Sequence, residues 1–139
     1  MKKYTIITIN FNNSAELRQT IESVLGQTMK DFEYIVIDGG STDGRAEVIK
    51  DYADHIDYWV SEPDKGEYTA MNKGLGKAHG EYVNFMNSGD TFHSPDVLEE
   101  VDSKIGDADI LFGNVCNRAT GIRYGGIKVD SEVTFLTLK

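Results

Sequence analysis

Residues 80–90 read GEYVNFMNSGD, an apolar run, Tyr82-Val83-Asn84-Phe85-Met86, that stops abruptly at Asn87-Ser88-Gly89-Asp90. A short apolar run closed by turn formers reads as a buried strand. An acidic residue just past such a strand, on a glycine-flexed turn, stands where an open α/β sheet presents chemistry to a ligand. Asp90 is therefore a candidate metal- or phosphate-handling residue, or else a cap of the following turn, where Asp and Gly are both common.

The remaining segments repeat the pattern. Residues 4–9, YTIITI, are β-branched and nearly continuous, as a parallel strand covered on both faces requires. Ser14 offers a helix start; Leu17, Thr20, Ile21, Val24 and Leu25 recur at helical spacing until Gly26. A strand over 32–37 closes on Asp38-Gly39-Gly40-Ser41-Thr42-Asp43-Gly44, and a short helix over 45–52 leads to a third strand over 56–60. Pro63 and Gly66 keep the next loop irregular. A helix over 68–78 precedes the 82–86 strand, and Ser94-Pro95 starts another that carries Val97, Leu98, Val101 and Ile105. Residues 109–114 read as one more strand, and 119–138, with three glycines among alternating residues, as a hairpin.

Strands alternating with helices specify an α/β protein: a mainly parallel sheet with helices on both faces, joined by right-handed crossovers. At 139 residues the chain is read as one domain. Ligands of such sheets bind outside the carboxyl ends of the strands. Here those ends are Asn10, Asp38, residues 62–65 and Asp90, and three of the four carry carboxylates.

The net charge of −9 argues against a nucleic-acid partner, which needs a basic surface. A small phosphorylated ligand remains compatible if a divalent cation screens the charges. The turn Asn10-Phe11-Asn12-Asn13-Ser14 has no glycine-rich dinucleotide fingerprint, and no GxxxxGK[ST] motif occurs. Carboxylates at the strand ends could instead hold Mg²⁺ or Mn²⁺, hard cations that take oxygen ligands and bridge to phosphates. A receiver or phosphatase domain also gathers Asp residues at strand ends, but the first strand ends here in Asn10.

Individual residues divide between two readings. Asp38 is a turn residue or an acceptor for a base or ribose donor, and its place at a strand end favours the second. Asp43 is assigned to a helix cap. Lys65 is a phosphate contact or a solvated lysine; Asn72 and Lys73 fall on a helix, where an exposed polar face is the simpler reading. His55, His79 and His93 have no metal-ligand spacing, and Trp59 and the tyrosines are read as packing. The single Cys116 cannot form an internal disulfide, which suits a reducing cytoplasm. No run approaches the length of a spanning helix, and MKKYTIITINFNN lacks the cleavage site of a signal peptide. Residues 133–138, VTFLTL, read as an exposed apolar edge that drives homo-oligomer formation.

Five motifs in order, TIITINFN, SVLGQT, FEYIVIDGGSTDG, EPDKG with AMNKG, and NSGD, resemble those of family 2 glycosyltransferases over roughly residues 1–115. The resemblance implies a three-layer α/β/α, Rossmann-like GT-A fold that binds a nucleotide diphosphate sugar, commonly a UDP- or GDP-sugar, and transfers the sugar with inversion to a saccharide or lipid-linked acceptor. It implies that Ile9 and Asn10 line the nucleotide pocket, that Asp38 reads the base, and that Asp64, Lys65 and Gly66 with Asn72 close over the nucleotide. Asp90 matches the last carboxylate of the DxD motif, which binds Mn²⁺ or Mg²⁺ on the diphosphate. Many members have a second acidic residue where this chain has Gly39. The DxD signature here holds one carboxylate, so Asn87 and Ser88 would supply oxygens directly or through water. The family's catalytic base and acceptor site lie beyond this stretch, which makes 116–139 a hairpin and the start of an acceptor part. The expected role is synthesis of a bacterial cell-surface polysaccharide in the cytoplasm or at the inner face of the membrane; the alternative is a nucleotide-sugar-binding module without turnover.

Overall fold

The computed structural model describes residues 2–42, 45–111, 115–116, 123–124 and 137–138. β1 (Tyr4–Asn10), β2 (Phe32–Asp38), β3 (Tyr58–Ser61) and β4 (Tyr82–Phe85) are parallel. They stand in the order β3-β2-β1-β4, each joined to the next strand in sequence through α1 (Ser14–Leu25), α2 (Arg45–Tyr52) or α3 (Glu67–Lys77). β1, which lies between β2 and β4, is buried at every position except Ile9, which is half-buried. Its near-continuous apolar sequence has that cause, since a strand between two parallel neighbours is covered on both faces.

Alternation along the strands sorts the core into two layers. Tyr4, Ile6, Tyr34, Val36 and Tyr82 face α1, α2 and α4 (Val97–Ile105), meeting Leu17, Ile21, Val24, Ile49, Leu98 and Val101. Ile7, Ile35, Ile37 and Val83 face the other way, against Ala70 of α3. Each fully buried Ile or Leu contributes about 1.5–3 kcal/mol. The three-layer α/β/α arrangement expected from the sequence is therefore present among the described residues. No helix among them is long and apolar enough to cross a membrane.

α4 starts at Val97, two residues after the expected Pro95, because its end is held from α1's side. The buried Gln27 donates to the Ser94 carbonyl at 2.8 Å and accepts from the Leu98 N–H at 3.0 Å, satisfying one of the amides that a helix start leaves open. β3 also begins later than expected, since residues 53–55 form a 3₁₀ turn and Ile56 is extended beyond it.

The C-terminal stretch departs from expectation. β6 (Val115–Cys116) pairs antiparallel with β7 (Arg123–Tyr124); most of the hairpin expected over 119–138 lies outside the described residues. β8 (Thr137–Leu138) lies antiparallel between β4 and β5 (Ile110–Leu111), completing the order β3-β2-β1-β4-β8-β5. Leu138 thus has a partner on each side and the strand forms no open edge, because insertion gives it the neighbours that an edge lacks. Residues 133–136 of that predicted edge lie outside the described residues.

α3 crosses the sheet at unusually close range. A Cβ on Gly74 would sit 2.7 Å from Ile7 Cγ2 and 3.2 Å from Ile7 Cδ1. The branched Ile7 side chain is stiff and buried, so it cannot swing aside. Gly74→Ala should therefore destabilise the fold by about 1–3 kcal/mol despite alanine's better helix propensity. Urea denaturation checks this, and an unchanged or raised midpoint would contradict the close packing.

Candidate functional site

The carboxyl ends of the four parallel strands are tied together by side chains. Asp38, at the end of β2, is fully buried. Its Oδ1 accepts from Asn10 Nδ2 at 2.8 Å and Ser41 Oγ at 2.6 Å; its Oδ2 accepts from the Gly40 and Ser41 N–H groups at 3.1 and 2.9 Å and from Ser61 Oγ at 2.8 Å. Asn10 ends β1 and Ser61 ends β3, so one carboxylate joins three strand ends. Asn10 Oδ1 in turn accepts from Ser88 Oγ at 2.7 Å, which extends the chain to the turn after β4. Ser61, Asp38, Asn10 and Ser88 thus follow one another in the order of the strands across the sheet.

The turns are shaped to match. Asn12 adopts a left-handed φ of 50°, a conformation asparagine tolerates, and its N–H reaches Ser41 Oγ at 2.6 Å while its Oδ1 accepts from the Thr42 N–H at 3.0 Å. Gly40 has φ 84°, and a Cβ there would meet Pro63 N at 3.0 Å, so both backbone conformation and space require glycine. After β4, the Ser88 N–H donates to the Ile9 carbonyl and the Asp90 N–H to the Asn87 carbonyl. Thr20 of α1 pins this turn, accepting from the Gly89 N–H at 2.9 Å and donating to the Asp90 carbonyl at 2.8 Å.

Above the tied strand ends lies a cleft of about 430 Å³ lined by Ile9, Asn10, Phe11, Asn13, Gly39, Asp64, Gly66, Glu67, Ala70, Asn87 and Ser88. Its volume lies within the range of small-molecule sites. Two of its side-chain oxygens, Asp64 Oδ2 and Asn87 Oδ1, are buried with no hydrogen-bond partner. A buried acceptor left open is costly, about 1–3 kcal/mol, unless a water, an ion or a ligand supplies its partner. Asn87 Nδ2 is engaged by Glu67 Oε1 at 3.0 Å, which fixes its amide with the oxygen unpaired. A larger depression of about 670 Å³, lined by Lys2, Lys30, Phe32, Tyr52 and Asp57 among others, includes Phe32, the first residue of β2, at the other end of the strands; it contains neither of these two open acceptors.

Six residues predicted from sequence therefore meet in the cleft: Ile9, Asn10, Asp64, Gly66, Asn87 and Ser88. Four do not line it. Lys65 and Asn72 are exposed on the loop and helix beside it, and Asp90 is exposed just past it. Asp38, expected to read the base, is not among the lining residues, and its carboxylate is enclosed by protein donors. Phe11, Asn13, Gly39 and Glu67 were not anticipated as lining. The runs Asn10-Phe11-Asn12-Asn13 and Pro63-Asp64-Lys65-Gly66-Glu67 held the signal, since both turns had been located at strand ends.

Among the described residues no group of three or more His, Cys, Asp or Glu side chains could enclose a metal ion. The residues present suit a different arrangement: Asn87 offers an open buried oxygen and Asp90, three residues on, an exposed carboxylate. Mg²⁺ and similar ions are commonly held by one or two protein oxygens, with phosphate and water completing the shell. That donor set fits an ion arriving with its ligand.

Burial pushes the Asp38 carboxyl up, but the hydrogen bonds from Ser41, Asn10 and Ser61 outweigh it and hold it below the usual carboxylate range. Because the folded value is depressed, this group's contribution to stability is present above the unfolded pKa, about 4, and is lost as pH falls through the folded value. Asp38→Asn should flatten that acid-side loss when urea midpoints are compared from neutral pH downward. Asp38→Ala leaves five donors without their acceptor and should cost about 3 kcal/mol or more at neutral pH; a loss below about 1 kcal/mol would show that the tie is dispensable.

Residues 5–123 match the family model described as Glycosyl transferase family 2. An uncharacterised glycosyltransferase of Mycobacterium tuberculosis is 37% identical over 122 residues, which is 85% of this chain and 47% of that protein. A PGL/p-HBAD biosynthesis glycosyltransferase of the same organism is 33% identical over 129 residues, 88% of this chain and 50% of that protein. The chain thus spans about half the length of the curated relatives it matches. Among solved structures, S. aureus TarS 1-349 in complex with UDP-GlcNAc superposes with a TM-score of 0.75 at 22% identity, over 86% of this chain and 36% of that one. The mannosyltransferase PcManGT of Pyrobaculum calidifontis, in complex with GDP-Man and Mn²⁺, superposes with a TM-score of 0.70 at 22% identity, over 82% and 34%.

Proposed function

The chain belongs to glycosyl transferase family 2, and on that premise we propose that its cleft binds the nucleotide diphosphate of a sugar donor from which the whole protein moves the sugar to an acceptor hydroxyl. The observation that carries this reading is the cleft itself: it opens at the carboxyl ends of parallel strands and holds two buried side-chain oxygens without partners, Asp64 Oδ2 and Asn87 Oδ1. The names of proteins of the same fold, bound to UDP-GlcNAc or to GDP-Man with Mn²⁺, agree with a UDP- or GDP-sugar.

The two open oxygens divide the labour. Asn87 follows β4 and Asp64 follows β3, on opposite sides of β1 in the strand order. The diphosphate lies on the Asn87 side, where Asp90 with Asn87 would hold Mn²⁺ or Mg²⁺ and Ser88 would support them. An ion bound there would offset the charge that develops on the leaving diphosphate. The nucleoside crosses Ile9 and Asn10 toward Asp64 and Gly66. Lys65 and Asn72, exposed beside the cleft, are available to the bound donor.

The base that takes the acceptor's proton in an inverting transfer is assigned to none of the described residues. Residues 1–115 form the donor part and 116–139 lead toward the acceptor part. The acceptor of this reading is a lipid-linked or saccharide molecule of the bacterial surface, met from the cytoplasmic side of the membrane; that one relative is named for PGL/p-HBAD biosynthesis agrees with a biosynthetic role.

Calorimetric titration with UDP and GDP, each with and without Mn²⁺, tests the reading. One nucleotide should bind, and bind more tightly with the ion. Asp90→Ala should abolish the Mn²⁺-dependent part, a loss of about tenfold or more, while circular dichroism remains that of the parent. Unchanged Mn²⁺-dependent affinity in that variant would remove Asp90 from the metal site, and no binding of either nucleotide would remove the donor-site assignment.

A further inference from the structure

We infer that the carboxylate of Asp64, delivered from the β3–α3 loop, is the group that reads the nucleobase of the donor by accepting its ring N–H. This deepens the proposed function and rests on it.

Three observations meet at this residue. The acidic residue at the end of β2 cannot serve a ligand, because Asp38 is fully buried and both its oxygens are taken by Asn10, Ser41, Gly40 and Ser61. The next position, which lines the cleft, carries no side chain: it is Gly39. The space a side chain would use there is held by Asp64, since a Cβ built on Gly39 would stand 3.3 Å from both Asp64 oxygens. The carboxylate that β2 does not supply to the cleft is thus supplied across the loop.

The state of that carboxylate points to its ligand. Oδ1 accepts from the Gly66 N–H at 3.1 Å, which holds the group in place, while Oδ2 is buried and open. A buried anionic oxygen repels phosphate and demands a donor. On a nucleoside diphosphate only the ribose hydroxyls and the base N–H groups qualify. The neighbourhood selects the base: the same Cβ position on Gly39 lies 3.4 Å from the Phe11 ring, which lines the cleft and is 64% exposed. An exposed aromatic ring close to the open carboxylate oxygen suits a planar heterocycle that stacks on it. Uracil offers one ring N–H to such an acceptor, and guanine offers a ring N–H beside an amino group.

The test compares Asp64→Asn with the parent chain, using the nucleoside diphosphate that the parent binds, its analogue methylated at the ring N–H (N3 of uracil or N1 of guanine), and its 2′-deoxy analogue. The parent should lose about ten- to hundredfold in affinity on N-methylation, the size of one charge-assisted hydrogen bond, and little on 2′-deoxygenation. Asp64→Asn should lose a similar factor for the unmodified nucleotide and no longer distinguish it from the methylated one. The double variant Gly39→Asp/Asp64→Gly, which returns the carboxylate to the β2 turn, should regain discrimination; Gly39 is free of the positive φ found at Gly40, so it accepts a side chain. If Asp64→Asn binds as the parent does, or if the parent discriminates against the 2′-deoxy analogue instead of the methylated one, the assignment of Asp64 to the base is overturned while donor binding stands. If the parent binds no nucleotide, both fall together.

Discussion

A single buried carboxylate sets the geometry on which the rest of this molecule's site depends. Asp38 carries a full negative charge beneath the cleft, away from water, and is tolerated there because five donors from two neighbouring strands and its own turn converge on it. Buried charge without such partners would cost several kcal/mol. The arrangement has a structural consequence beyond its own energy. Neighbouring strands lie about 5 Å apart, and hydrogen bonds through Ser61, Asp38, Asn10 and Ser88 fix their ends in mutual register at the one place where loops must be held still to form a site.

The cleft inherits its chemistry from that frame. Asn10 is committed at both ends of its amide, to Asp38 and to Ser88, and so serves as a rigid floor. The groups left open stand on either side of it: Asp64 beyond β3 and Asn87 beyond β4. A negatively charged chain with two open acceptors in its cleft is poorly suited to bare phosphate and well suited to a ligand that brings a cation at one end and N–H donors at the other. A nucleotide diphosphate with a divalent ion has that polarity, and its sugar conjugate is the donor proposed for this member of glycosyl transferase family 2.

Much of this was legible in the sequence because the governing signals are local. The continuous β-branched run at 4–9, the helical spacing from Leu17 to Leu25 and the breaks at Asn10, Asp38, Pro63 and Asn87 placed the four parallel strands, their helices and the turns at the strands' carboxyl ends to within about two residues. What could not be read was direction. Asp38 and Asp64 are both acidic residues in turns after strands, yet one is enclosed by donors from distant segments and the other is left open, and only the packing of β1 and β3 against β2 decides which. Gly39 read as a missing carboxylate; in three dimensions it is the space that admits one from another loop. The edge expected at 137–138 differs for a related reason: whether these residues form an edge or an inner strand depends on β4 and β5 flanking them, and no local pattern encodes that.

The central claim is that the strand-end cleft is where a nucleotide sits, and amide chemical-shift mapping with the bound nucleoside diphosphate and Mg²⁺ addresses it most directly. The account predicts that the perturbed amides cluster at 9–13, 39–41, 64–67 and 87–90, with little change at the opposite ends of the strands. Perturbations centred instead on Lys30, Phe32, Tyr52 and Asp57, around the larger depression there, would contradict it.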